Sequence, residues 1–358
     1  MAGVLALVVA DKGIETKVFG GNMTPDVIVA NASIDAGVDG DVEAGAIDPA
    51  ALDVATVREK TSVASRIITS VALIAPVFGI LSAARLLWGV DLHPLDLYLF
   101  AFFYLVTGLG ITVGYHRLFT HKAFRASQPV RAIFAVLGAM TLQGPVTQWV
   151  TDHRKHHARS DAQGDPHSPN LAGTGFFHHV YGFFHSHVGW LISTKGMERG
   201  MLYGRDLFED PVIRFIDRAY FAWVAVSIGL PYLIAYAITG SSARGVEALV
   251  WAGLVRIFCF QHATFAVNSA CHTWGRRPYV TGDKSTNNLA VAVLTFGEGW
   301  HNNHHAFPRS ARHGLETAQV DVSYLVIKLL TKLRLASEVR LPTEHQLARI
   351  VRTDSPLT

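Results

Sequence analysis

Residues 97–121 read LYLFAFFYLVTGLGITVGYHRLFTH. The first 19 of them, 97–115, carry no charge and run straight into the pair His116 and His121. A stretch of about 20 apolar residues is long enough to span a bilayer as a helix. An apolar span that ends in imidazoles predicts a membrane helix that delivers metal ligands to its own end.

Three further stretches share this character. Residues 67–84 are 18 without a charge, 219–243 are 25, and 248–270 are broken only by Arg256 and His262. The first pair is joined through Trp88, Asp91 and His93-Pro94, the second through Thr239-Gly240-Ser241-Ser242. Two helical hairpins are expected. Arg58, Lys60 and Arg66 precede the first span, and Arg117, Lys122 and Arg125 follow the second. Arg214 and Arg218 precede the third, and Arg276 and Arg277 follow the fourth. The positive-inside rule then puts both termini and the long middle segment in the cytoplasm. Residues 130–150 are apolar except for Arg131, but Gln143, Gly144-Pro145 and Gln148 weaken a fifth span. An interfacial or partly embedded helix is expected there. Residues 320–335, with Lys328, Lys332 and Arg334, predict an amphipathic surface helix.

Composition agrees. Of 358 residues 50% are apolar and 16% charged, with mean hydropathy +0.26, against about 25% charged in soluble domains. Residues 1–57 hold nine acidic residues against Lys12 and Lys17, a net of −7 that leaves +10 for the rest of a chain whose net is +3. This acidic stretch reads as a disordered tail, with a membrane domain over 58–352 and a short C-terminal tail over 353–358. No basic tract points to nucleic acid. Cys259 and Cys271 form neither a disulfide framework nor a C-x-x-C pair.

The unusual count is 18 histidines. Besides His116 and His121 there are two H-x-x-H-H clusters, His153, His156, His157 and His301, His304, His305. Positions i, i+3 and i+4 share one face of a helix, so each cluster can present three imidazoles. His116 and His121, about 140° apart on an ideal helix, need a helix end. Eight imidazoles exceed one ion's needs, and the simplest count is two metals. Neither H-E-x-x-H nor H-x-x-E-H occurs, which argues against a zinc hydrolase. Glu298 to His301 is the lone E-x-x-H, too few for a carboxylate-bridged di-iron bundle.

These boxes resemble the integral-membrane fatty acid desaturases, in particular the acyl-CoA Δ9 (stearoyl-CoA type) members. The likeness is carried by 114–121, 152–157, Asp165-Pro166-His167, 187–190, 268–279 and 297–305. It implies an all-α membrane protein with four transmembrane helices in two hairpins and a cytoplasmic helical cap holding a histidine-ligated di-iron site. It adds His272 as a ninth ligand and Asn268 as the holder of a metal-associated water. Glu298 is not expected to be a ligand. His93, His178, His179, His185, His313 and His345 match no ligand position, and His167 and His187 are expected in supporting roles.

The implied reaction inserts a cis double bond into a saturated acyl chain, with two Fe ions and O2 as co-substrate. The chain carries no flavin, haem or iron–sulfur motif, and His93-Pro94 is followed by Leu95-Asp96 rather than by the glycines of a fused cytochrome. A separate ferredoxin or cytochrome with its reductase is therefore implied. Trp149, Asp152, Trp190, Lys195 and Gln261 are the expected substrate-binding residues. Acyl-CoA is the first carrier considered, with Lys195, Arg154 and Lys155 as its phosphate partners, although Thr151 and Thr194 stand where animal relatives carry arginine. Acyl-lipid, acyl-carrier-protein and a membrane hydroxylase are the alternatives. The expected location is a membrane, the bacterial plasma membrane before the endoplasmic reticulum, with the site on the cytoplasmic face.

Overall fold

The computed structural model describes residues 63–87, 92–193 and 200–349. The acidic tail, the C-terminal tail, Trp88, Asp91, Thr194 and Lys195 lie outside those residues. The described chain is built almost wholly of helices.

Helix α1 spans Val63–Leu87. Helix α2 (Pro94–Leu109) starts with Pro94 at its first position, where a missing N–H costs nothing, and His93 Nδ1 accepts from Leu95 N at 3.2 Å. It continues without a break into a π-helical stretch, Gly110–Thr120. Strand β1 (Arg125–Ala126) leads to α3 (Gln128–Ala139) and α4 (Val146–Arg159). Next come α5 (Phe176–Phe184), which runs on as a π-helix over His185–Gly189, then α6 (Trp190–Ser193), α7 (Gly200–Phe208) and α8 (Pro211–Arg218). Helix α9 is Tyr220–Thr239, closed by Gly240 at φ +67, the left-handed cap that glycine supplies most cheaply. Helix α10 (Ser242–Ala248) passes through a π-helical segment (Leu249–Val255) into α11 (Arg256–Ser269). Short helices α12 (Leu289–Leu294) and α13 (His301–Ala306) follow, then α14 (Val322–Lys332), strand β2 (Ala336–Ser337), antiparallel to β1, and α15 (Glu344–Arg349).

Among the described residues, Pro94–Thr120 and Tyr220–Thr239 are long and apolar enough to cross a membrane. Their outer faces leave Tyr98, Phe102 and Leu105, and Phe221, Leu233 and Ile238, exposed. The inner face of the first joins a core where Ile111, Val113 and Tyr115 pack against Phe134, Val146, Val150, Phe260 and Ile327, whereas Tyr220 and Val224 of the second pack with Ala139, Leu142 and Ile257.

The apolar stretch 130–150 is not one helix. It breaks between α3 and α4, at Leu142 (φ +58) and Gly144 (φ +106). Two buried polar side chains of the α10–α11 rod hold the break. Gln261 donates to Leu142 O at 2.7 Å. Arg256, fully buried, donates to Met140 O and Ser227 O at 3.3 Å each and to Ser227 Oγ at 2.7 Å. The need for these donors is local. Met140 caps α3, whose last carbonyls have no helical donor. Ser227 lies four residues before Pro231, which cannot donate to it. The guanidinium thus satisfies carbonyls that two separate breaks leave open. Helix α14 buries Ser323 and Ile327 and leaves Leu325 and Leu329 exposed.

Candidate metal centre

His116 and His121 lie at a helix end, as expected, where His121 caps the π-helical stretch. In a π-helix the hydrogen bond runs to the fifth residue, and His121 N donates to His116 O at 3.1 Å. Residues five apart therefore stack, and the two rings lie 4.8 Å apart, centroid to centroid. Helix α4 contributes His153, His156 and His157 from one face, and α13 contributes His301, His304 and His305. The 3₁₀ turn Ala270–His272 at the end of α11 adds His272.

These nine histidines form two groups. One holds His116, His121, His153, His157 and His304; the other holds His156, His272, His301 and His305; within each, the ring nitrogens all lie within 4.8 Å of one another. Both H-x-x-H-H clusters are split between the groups, so each helix serves both. Nε2 atoms face each other at 3.1 Å (His116–His304), 3.1 Å (His153–His157), 2.9 Å (His157–His304) and 3.1 Å (His272–His301). The Nε2 atoms of His121, His156 and His305 are buried without a partner.

The opposite nitrogens explain this arrangement. His116 Nδ1 meets Glu298 Oε2 at 2.5 Å, His272 Nδ1 meets Asp161 Oδ2 at 2.9 Å, and His305 Nδ1 meets Asp283 Oδ2 at 2.6 Å. His156 Nδ1 meets Asp165 Oδ1 at 3.0 Å. A carboxylate on Nδ1 fixes the proton there and turns the Nε2 lone pair inward, as is usual for histidines that bind metal. Burial first, then neighbouring imidazoles, holds His121, His153, His157, His301 and His304 well below the usual histidine range, so they are neutral donors. A cation placed between the converging Nε2 atoms would be met by imidazole lone pairs from several rings at once. The donor set fits two such cations, of the transition metals that imidazole favours.

The carboxylates are part of the site; spacing singled out Glu298 as the lone E-x-x-H but did not identify Asp161 or Asp283. Burial pushes Asp161, Asp283 and Glu298 up, but their histidine partners outweigh it and bring all three below the ordinary carboxylate range. Glu298 sits on the Nδ1 side of His116, away from the converging Nε2 atoms. It also accepts from Arg117 Nη2 at 3.0 Å. Arg117, fully buried, reaches Asp321 at 2.9 Å and the Ala311 carbonyl at 2.8 Å. His313, unassigned by spacing, packs here as well. Its Nδ1 lies 3.2 Å from Arg117 Nη2 and its ring 4.5 Å from that of His304. Burial and the nearby arginine push it down to about 4. Asp165, like Glu298, has a visible sequence signal, the Asp165-Pro166-His167 segment. His187 is hydrogen-bond partner to Ser269 and His262, apart from both groups.

Two cavities adjoin the histidines. The first, about 380 Å³, is lined by Ile111, Thr112, Trp149, Val267, Asn268 and Thr295 and ends on His116, His153 and His301. The second, about 500 Å³, is lined by Gln143, Gln148, Trp149, Asp152, His167 and Trp190. They share Trp149, His153, Thr264 and Asn268. Trp149, Asp152 and Trp190 are thus at a cavity wall, whereas Gln261 lines neither and is committed to Leu142. Burial pushes Asp152 up to about 7. Arg154 requires a correction. Rather than standing free for a phosphate, it is bidentate to Asp206 at 2.7 and 3.1 Å and donates to Phe119 O, Thr120 O and Tyr203 O.

Residues 58–323 match the family described as fatty acid desaturase. The chain is 41% identical over 272 residues to hex-5-enoyl-[acyl-carrier protein] acetylenase of Moorena producens, covering 75% of this chain and 84% of that one. It is 41% identical over 245 residues to the sn-1 stearoyl-lipid 9-desaturase of Anabaena variabilis, covering 68% and 83%. Icosanoyl-CoA 5-desaturase of Limnanthes douglasii is 41% identical over 244 residues, 66% of this chain and 63% of that one.

Proposed function

The chain belongs to the fatty acid desaturase family, and from that premise we propose that it inserts a cis double bond at the Δ9 position of a saturated acyl chain. The observation that carries the reading is the pair of histidine groups at the end of an apolar cavity. Two irons held by His116, His121, His153, His157, His304 and by His156, His272, His301, His305 would supply the O2 chemistry that unactivated methylenes require. Asn268, at the wall of both cavities and four residues before His272, is placed to hold a water on the four-histidine side. The chain's own residues do the rest. Ile111, Trp149 and Val267 exclude water and hold the methylenes beside the histidines, which is catalysis by placement. Asp161, Asp165, Asp283 and Glu298 keep the ligating imidazoles in one tautomer.

The proposed topology is four spans in two hairpins, α1 with α2 and α9 with α10–α11, with both termini and the histidines on the cytoplasmic side. The ends of α2 and α11 meeting at one site support it, as does the cationic asymmetry of the sequence.

The mouth of the second cavity favours a membrane lipid as the carrier of the acyl chain. Its described walls offer Gln143, Gln148, Trp149, Asp152 and Trp190 rather than cations, and Arg154 is neutralised by Asp206. Acyl-CoA is the second reading, resting on Lys155 and Lys195. Expression in a desaturase-deficient host, with gas chromatography that locates the double bond, tests the reaction. Purified protein given stearoyl-CoA or stearoyl-phosphatidylcholine separates the carriers. Absence of any unsaturated product in the host would overturn the reading.

A further inference from the structure

Desaturation by O2 balances only with two outside electrons: –CH2–CH2– + O2 + 2 e⁻ + 2 H⁺ gives –CH=CH– + 2 H2O. The two histidine groups differ in how they connect to the surface. The carboxylate behind His116 is Glu298, flanked by buried Gly297 and Gly299 and by fully buried Arg117. The carboxylates behind His272 and His305 belong to surface loops. Asp161 accepts from the backbone N–H of exposed Lys284 at 2.8 Å and contacts His272 through the same oxygen. Asp283, the residue before Lys284, contacts His305. One surface residue is therefore two hydrogen bonds from His272 and one peptide unit from the partner of His305.

The charge on this face is of one sign. Arg159 ends α4 two residues before Asp161, and Lys155, one turn earlier, shares its outward side. Lys284 and Arg276 are exposed. Among the described residues, Arg159, Arg276 and Lys284 form no ion pair and Lys155 faces only Asp152, while Asp161 and Asp283 are turned inward onto histidines. Near the other group, Lys122 and Arg154 share the single carboxylate of Asp206, Arg125 pairs with Glu338, and Arg312, beside His313, donates to the Gly314 carbonyl instead of a carboxylate.

We propose that the face formed by the end of α4 and the 276–284 loop docks an acidic one-electron carrier protein, and that its electrons enter through the four-histidine group. Each docking oxidises one reduced carrier and passes one electron inward along Asp161–His272 or Asp283–His305, so two dockings complete a turnover. The proposal rests on the desaturase reading for its purpose and on the surface alone for its place.

The test uses the full chain, iron-loaded, in phosphatidylcholine nanodiscs that carry no anionic lipid, with a reduced acidic [2Fe–2S] ferredoxin as probe. Lys284→Glu and Arg159→Glu should each raise the ferredoxin Kd roughly tenfold and flatten its salt dependence. Arg125→Glu should leave both unchanged. Olefin formed in one turnover after chemical reduction should be equal in all four proteins. A Kd within twofold of wild type in both reversal variants would overturn the docking face. Wild-type protein that forms no olefin even when chemically reduced would instead overturn the desaturase reading.

Discussion

Asp283 shows how much of this centre rests on single residues that ligate nothing. Its Oδ2 meets His305 Nδ1 at 2.6 Å, so Asp283→Asn keeps the shape but removes the charge that holds the Nδ1 proton. Such supporting changes cost about 10–100-fold in metal affinity. Iron per chain after chelator challenge should fall in Asp283→Asn, with the loss confined to the four-histidine group. His304→Ala should abolish product and lower iron, because His304 is at the centre of the five-histidine group. His178→Ala should leave iron content and product unchanged, since that side chain lies on exposed α5, away from both groups. The nine histidines that cluster were legible in the sequence, eight from spacing and His272 from resemblance. Asp161 and Asp283 were not, because 111 and 22 residues separate them from His272 and His305 and they carry no spacing signal of their own.

At the scale of elements, the close approach of α2 and α3 depends on absent side chains. A Cβ on Gly138 would enter the Tyr115 ring, and one on Gly110 would enter the backbone at Leu137–Gly138. Gly138→Val should destabilise by about 1–3 kcal/mol, the usual cost of overpacking, read as a lower Tm with reduced iron loading. Arg256→Leu should cost about 1–3 kcal/mol, because the Ser227 carbonyl loses its arginine donor within the apolar interior, whereas Met140 O keeps the Ser227 hydroxyl at 2.6 Å. The clamp between α4 and α7 is pH-dependent. Burial raises Asp206, but the hydrogen bond and charge of Arg154, with those of Lys122, bring it below 3.8. A carboxylate depressed by folding adds stability above its unfolded value and loses it as pH falls through the folded one. Both partners are partly exposed, which limits the contribution to about 1 kcal/mol. Asp206→Asn should therefore melt below wild type at pH 6, and the two should converge as pH drops below about 4.

For the whole molecule, the proposed topology places His93 and the histidine groups on opposite sides of a bilayer. In a background with Cys259 and Cys271 replaced by serine, a cysteine at position 93 should react with an impermeant maleimide added outside. One at position 178 should react only after the membrane is opened. Labelling of both from one side would overturn the four-span arrangement.

Apolar length, charge asymmetry and the three histidine boxes are periodic, local signals, so the sequence by itself determined a helical protein, the apolar segments that could span a membrane and the histidines that cluster. Tertiary structure decided how those parts combine. It divided the nine histidines five and four across both boxes. It gave His116 and His121 a common side through a π-helical pitch that no residue type announces. It broke 130–150 into two helices by placing Arg256 and Gln261, over a hundred residues away, against open carbonyls. It also removed Arg154 from the substrate by pairing it with Asp206. Each of these turns on a contact between distant segments, and hydrogen bonds of that kind leave no trace in local pattern.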